Sequence, residues 1–115
     1  MRIRIKRIYD PIAEEDGFRV LVDRLWPRGV KKADARLDLW AKELAPSPEL
    51  RKWFAHEQSR FPEFQRRYRA ELDENQSAIP ALVEKAGERP ITLLFAAKNL
   101  HCNHAVVLQA YLEER

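Results

Sequence analysis

Ile3 and Ile5 alternate with Arg2, Arg4 and Lys6, a period of two that predicts a strand with one buried face and one basic face. Asp10-Pro11 ends it. After a polar loop over residues 12–17, a second strand is expected over 18–25, stopped by Trp26-Pro27 because proline fixes its own φ and pushes the residue before it out of helical geometry. The period then changes: Leu37, Trp40 and Leu44 are spaced by three and four, which predicts a short helix over 38–44 that ends before Pro46. Ser47-Pro48-Glu49 reads as the start of the next helix. The serine oxygen can accept an orphan amide, proline fills the first turn without losing a hydrogen bond, and glutamate suits the positive end of the dipole. Leu50, Trp53 and Phe54 supply its buried face.

A longer helix beginning near Pro62 places Phe61, Phe64, Tyr68 and Leu72 on one stripe, with Glu63, Arg66, Arg67, Arg69 and Glu71 mainly opposite. Ser77 opens another helix that buries Ile79, Leu82 and Val83 and closes at Gly87. Residues 91–97 carry no charge, which predicts a central strand covered on both faces. A last helix follows over 103–113, capped by Asn103. Trp40, Trp53, Phe64, Tyr68 and Leu94 are expected in the core. The order strand, strand, several helices, strand, helix implies an α/β fold: a small, at least partly parallel sheet covered by helices. No repeat, low-complexity tract or linker divides it, so residues 1–115 are read as a single domain.

In such sheets ligands bind beyond the carboxyl ends of the strands. That rule selects two loops, one carrying Asp23, Arg24, Trp26 and Arg28, the other Lys98, Asn103 and His104. Gly29 can adopt the positive φ that a tight turn after Pro27-Arg28 would need. If the two strands are parallel neighbours, the loops line one concavity. Arg24, Arg28 or Lys98 then offers charge for a phosphate or carboxylate, Trp26 a stacking surface, and His104 a first-turn position where free amides attract an anion. His104 is the candidate general acid or base and Asp23 its orienter, since imidazole titrates near neutrality. The competing reading keeps the same residues structural: Asp23 pairs with an arginine, Trp26 covers the core edge and His104 caps a helix.

Composition narrows the partners. With 21 Lys and Arg against 18 Asp and Glu, the net charge is only +3, which permits nucleic acid without indicating it. Arg66-Arg67-Tyr68-Arg69, Lys31-Lys32 and Arg51-Lys52 carry that case, yet Glu63 and Glu71 stand at helical pairing distance from the arginines. A lone cysteine, Cys102, excludes an internal disulfide and a multi-cysteine metal cage. His101, Cys102 and His104 do not have familiar zinc spacing, so neither a metal nor a cofactor is expected. The three glycines offer no phosphate-cradling loop. His56 is read as a helix-end residue. Neither a leader peptide nor a membrane span is expected, which makes the cytoplasm the expected compartment.

The segments Asp23-Arg24-Leu25-Trp26-Pro27-Arg28-Gly29-Val30, Ala45-Pro46-Ser47, Leu50-Arg51-Lys52-Trp53-Phe54, Phe64 with Arg67-Tyr68 and Glu71-Leu72, Leu93-Leu94-Phe95-Ala96-Ala97-Lys98 and Asn103-His104-Ala105 together resemble the YeaO-like family of uncharacterised bacterial proteins, domain of unknown function 488. The resemblance spans nearly the whole chain and implies a fold and a set of positions rather than a reaction. The wider group of related domains looks to carry a Cys-His-Arg motif where this chain has Asn103-His104-Ala105. Here the thiol stands one position early and the arginine is absent, so the resemblance carries no thiol chemistry over and Cys102 is read as incidental.

Two functions remain in play. One is a protein that binds a small anionic ligand beside Arg24, Trp26, Arg28, Lys98 and Asn103, with transformation by His104 and Asp23 left open. The other is a non-catalytic module that binds nucleic acid or protein through a basic surface. The sequence does not fix an oligomeric state.

Overall fold

The computed structural model describes residues 2–115 and builds one four-stranded sheet, β1 (Ile3–Arg7), β2 (Phe18–Leu21), β3 (Leu39–Trp40) and β4 (Ile91–Phe95). The strand order is β1-β4-β2-β3 and every pairing is parallel. All five residues of β4 are buried, as its charge-free run implies for a central strand. The registers Ile3↔Ile91 and Phe18↔Ile91 set Ile3, Ile5, Phe18, Val20, Ile91 and Leu93 on one face and Arg4, Lys6, Arg19, Leu21, Thr92 and Leu94 on the other. The two faces are therefore unlike before anything covers them.

Among the described residues there are five α-helices: α1 (Lys32–Ala35), a single turn that the sequence reading did not expect, and α2 (Pro48–Phe54), α3 (Phe61–Glu74), α4 (Ala78–Ala86) and α5 (His104–Glu113), which follow from the sequence signals. The Ser47 hydroxyl caps α2 by accepting from the Leu50 amide at 3.2 Å, and it donates to Glu71 at 2.5 Å, so the cap is tied to α3. Phe64, Tyr68 and Leu72 form the buried stripe of α3. Gly87, at φ +62° and ψ −128°, closes α4 in a conformation that glycine adopts readily. The main core lies between the apolar sheet face and helices α2 to α5. The opposite face is covered more thinly, by α1 and the segments around Trp26 and Trp40. Among the described residues no helix is long and apolar enough to cross a membrane.

Three expectations are corrected. Residues 38–44 are not a helix. The Asp38 and Ala41 amides donate to the Arg19 and Leu21 carbonyls, so this segment pairs with the otherwise open edge of β2 as β3, and a 3-10 turn follows at Lys42–Leu44. Seven residues of ambiguous period could not outweigh an unpaired strand edge. β2 and β4 are also shorter than expected, for one shared reason. The ladder runs on to the Val22 amide on the Leu94 carbonyl, and then the Asp23 carboxylate takes the Ala96 amide at 2.9 Å. A side chain replaces a backbone partner and both strands stop. Lastly, Trp40 and Trp53 are only half-buried, and two guanidiniums, of Arg60 and Arg67, lie over the Trp53 ring at 5.5 and 4.2 Å.

Candidate functional site

Because β2 and β4 are parallel neighbours, the loops after them leave the sheet side by side. Asp23 joins them. One carboxylate oxygen accepts from the Ala96 amide, and the other lies 2.9 Å from His104 Nε2, which also lies 2.9 Å from the Val22 carbonyl. A carbonyl and a carboxylate both only accept, so the proton sits on Nε2 and is shared between them. His104 thereby ties the first turn of α5 to the end of β2. Its Nδ1 has no protein partner among the described residues. Below it, the buried Tyr68 presents its ring edge-on at 6.3 Å and donates its hydroxyl to the Leu44 carbonyl. Burial pushes the Tyr68 hydroxyl well above its ordinary pKa.

The loop after β2 is held by aromatic residues, its own Trp26 and Trp40 of β3. Trp40 Nε1 donates to the Asp23 carbonyl at 2.6 Å, and Trp26 Nε1 donates to the Val30 carbonyl at 2.6 Å. The two indoles meet edge to face, 5.3 Å apart, which fixes the plane of the half-buried Trp26. Gly29 has φ +76°, as the turn requires, and the exposed Tyr9 donates to the Arg28 carbonyl at 2.9 Å. The loop after β4 is ordered by amides. The Asn99 side-chain oxygen accepts from His101 and Cys102, both at 2.9 Å. Asn103 donates to the Asn99 carbonyl at 2.7 Å and accepts from the Val106 amide at 3.0 Å, capping α5.

These loops, with α2 and the segment before it, enclose an open cleft of about 1010 Å³ whose lining includes Asp23, Arg24, Trp26, Arg28, Lys98, Asn103 and His104. All seven residues singled out in the sequence therefore meet at one place, in different roles. Arg24 is turned inward: Nε and Nη2 donate to the Pro46 and Ala45 carbonyls at 3.2 and 3.1 Å, joining this loop to the start of α2. Asn103 is buried, and both ends of its amide are engaged within the chain. Arg28 and Lys98 are exposed and form no ion pair among the described residues.

The sequence reading missed the part of the lining contributed by α2. Arg51 and Lys52 stand on the cleft, and the buried Phe54 of α2 and Phe64 of α3 lie behind them at its wall. His56 also lines it, delivered by two successive left-handed residues, Ala55 at φ +47° and His56 at φ +58°. A basic dipeptide after a good helix start was visible, but its placement over the strand ends depends on tertiary packing. The lining carries five cationic side chains, Arg24, Arg28, Arg51, Lys52 and Lys98, against the single carboxylate of Asp23, a formal +4. The whole chain carries +3, so the rest of the molecule is left with −1.

On α3, three arginines are neutralised. Glu63 bridges Arg66 and Arg67 at 2.6 and 2.8 Å, and hydrogen bonds from Arg66 first and Arg67 second hold its carboxyl down to about 2. Arg69 pairs with Glu114 at 2.8 Å. Glu71, expected beside Arg67, instead accepts from the Ser47 amide and hydroxyl. Among the described residues no group of three or more His, Cys, Asp and Glu is arranged to hold a metal.

Fold and cleft together define the class: a small parallel α/β protein with an open, positively lined cleft at the carboxyl ends of its strands. The chain belongs to the YeaO-like, DUF488 family, and the family model described as the inactive DUF488-N3 subclade matches residues 2–115. It is 49% identical over 112 residues to the uncharacterised protein YeaO of Escherichia coli K12, covering 97% of each chain. It is 42% identical over 114 residues to the uncharacterised proteins Mb3100c of Mycobacterium bovis and Rv3073c of Mycobacterium tuberculosis H37Rv, covering 99% of this chain and 96% of each relative. No solved structure matches it.

Proposed function

We propose that the cleft binds a small anion with an apolar or aromatic body, and that the chain holds this ligand without transforming it. The observation that carries the reading is the concentration of a formal +4 on a lining that also presents the exposed Leu25 and the half-buried Trp26. Cations left without carboxylates beside apolar surface suit a ligand that brings both the missing charge and a body to desolvate. Arg28 and Lys98 contact the anionic group, and Trp26 takes the ring. Arg24 and Asn103 act as supports, because their polar atoms are already engaged.

Binding without turnover agrees with two features. Asn103, where the wider group's pattern places a cysteine, is an N-cap and brings no nucleophile. The matching family model is itself described as inactive. Asp23 and His104 then serve to hold the loops together, with Nδ1 of His104 as a further polar contact. The basic run on α3 does not favour a nucleic-acid surface, since its arginines are paired with Glu63 and Glu114.

A thermal-shift comparison tests this. 2-Naphthalenesulfonate should raise the melting temperature where neutral 2-naphthol does not, and Arg28→Gln with Lys98→Gln should abolish the rise, because a ligand that binds only the native state stabilises it. Equal shifts for the acid and the naphthol, or none for either, would sink the proposal.

A further inference from the structure

The unpaired cations of the cleft fall into two groups from different parts of the chain. Arg28 and Lys98 sit on the strand-end loops, whereas Arg51 and Lys52 sit on α2. None of the four forms an ion pair among the described residues, and both oxygens of the one nearby carboxylate, Asp23, are engaged by Ala96 and His104. We infer that the ligand carries two separated anionic groups on a planar body, one group held by the strand-end loops and the other by α2. This rests on the cleft being an anion site.

Size and charge support the second group. A single carboxylate or phosphate uses a small part of a cleft of about 1010 Å³ and leaves two of the four cations unmatched. On α3, Arg66, Arg67 and Arg69 sit beside the carboxylates of Glu63 and Glu114, whereas Arg51 and Lys52 on α2 pair with none among the described residues. A second anionic group would supply that partner at α2. The rigid indole of Trp26 lies on the lining with these cations, so a planar body spanning the cleft has a surface to lie on.

The test uses the full chain and calorimetry with four probes: neutral 2-naphthol, 2-naphthalenesulfonate, and the 1,5- and 2,6-disulfonates, whose charges are set at two different separations. At least one disulfonate should bind roughly tenfold more tightly than the monosulfonate, the gain expected from one more charge-assisted contact. Arg51→Gln with Lys52→Gln should bring that ratio close to one, with a melting curve showing that the variant is folded. If the monosulfonate binds as tightly as both disulfonates, or the advantage survives in the α2 variant, the two-group inference falls while the anion site stands. If no sulfonate binds, both fall.

Discussion

At the start of β2, Arg19 meets the Asp16 carboxylate at 2.5 Å and the Ala35 carbonyl at 3.0 Å, whereas beyond its finish Arg28, and Lys98 on the same cleft, meet no carboxylate among the described residues. Asp16 also accepts from Lys6 at 2.9 Å and from the Ala13 amide at 3.1 Å, and its own carbonyl accepts from Thr92 at 2.6 Å. Asp16, Arg19 and Thr92 are all buried. One strand thus separates a closed polar cluster, where every charge has a partner, from an open one, where cations wait. Buried charge is tolerated only when fully paired, while exposed charge can remain unpaired at little cost to folding. The first cluster is therefore a structural element, and the second is not needed for folding.

The comparison can be broken first at Asp16. Asp16→Ala leaves Arg19 buried without its carboxylate and should cost about 3–5 kcal/mol by denaturant unfolding, with no specific loss at the cleft. Burial raises the Asp16 pKa, but hydrogen bonds from Lys6, Ala13 and Arg19 outweigh it and hold the carboxyl below its ordinary value. A folded pKa below the unfolded one gives stability that is complete above the ordinary Asp range and is lost as pH falls through the folded value. Asp16→Asn should flatten that part of the acid limb, and an unchanged limb would refute the assignment.

The two glycines of these ends offer the next contrast. A Cβ on Gly17 would lie 2.3 Å from the Pro90 carbonyl oxygen, at φ +65°, so Gly17→Ala should cost about 3 kcal/mol through overpacking and backbone strain together. His104→Asn should come close behind, at about 1–3 kcal/mol, because Val22 and Asp23 lose a shared donor; unchanged melting would show that this link does not hold the loops. A Cβ on Gly29 would meet nothing within 4 Å, so Gly29→Ala carries only the left-handed penalty of about 1 kcal/mol at φ +76°. Arg28→Gln and Lys98→Gln should fall within about 0.5 kcal/mol of the parent while weakening anion binding. Stability losses as large as those at Asp16 would mean the open cluster is not open.

What the sequence made legible was local or periodic. The uncharged β4, the Ser47-Pro48 start of α2, the Phe64, Tyr68 and Leu72 stripe and the convergence of Asp23 with His104 all follow from patterning and from the parallel-sheet rule. What escaped required knowing a partner in three dimensions. β3 exists because β2 has an open edge, Arg24 spends its donors within the chain because the Ala45 and Pro46 carbonyls stand within reach, and Asp16 takes Lys6 and Arg19 from separate strands. Arg51 and Lys52 were visible as a basic pair, but only the packing of α2 brings them to the strand ends.

The position of β4 has a consequence for biosynthesis. It lies between β1 and β2 in the sheet, yet it is the last strand to leave the ribosome. Until Ile91–Phe95 emerges, β1 has no neighbour and β2 has only β3, so most of the sheet's pairing waits on contacts across long stretches of chain, the slow class of folding step. A nascent or truncated chain that stops short of β4 exposes strand edges and apolar faces together, the condition that recruits chaperones and proteases. Lys98 and His104 follow β4 in the chain, so the cleft is completed only in the step that also completes the sheet.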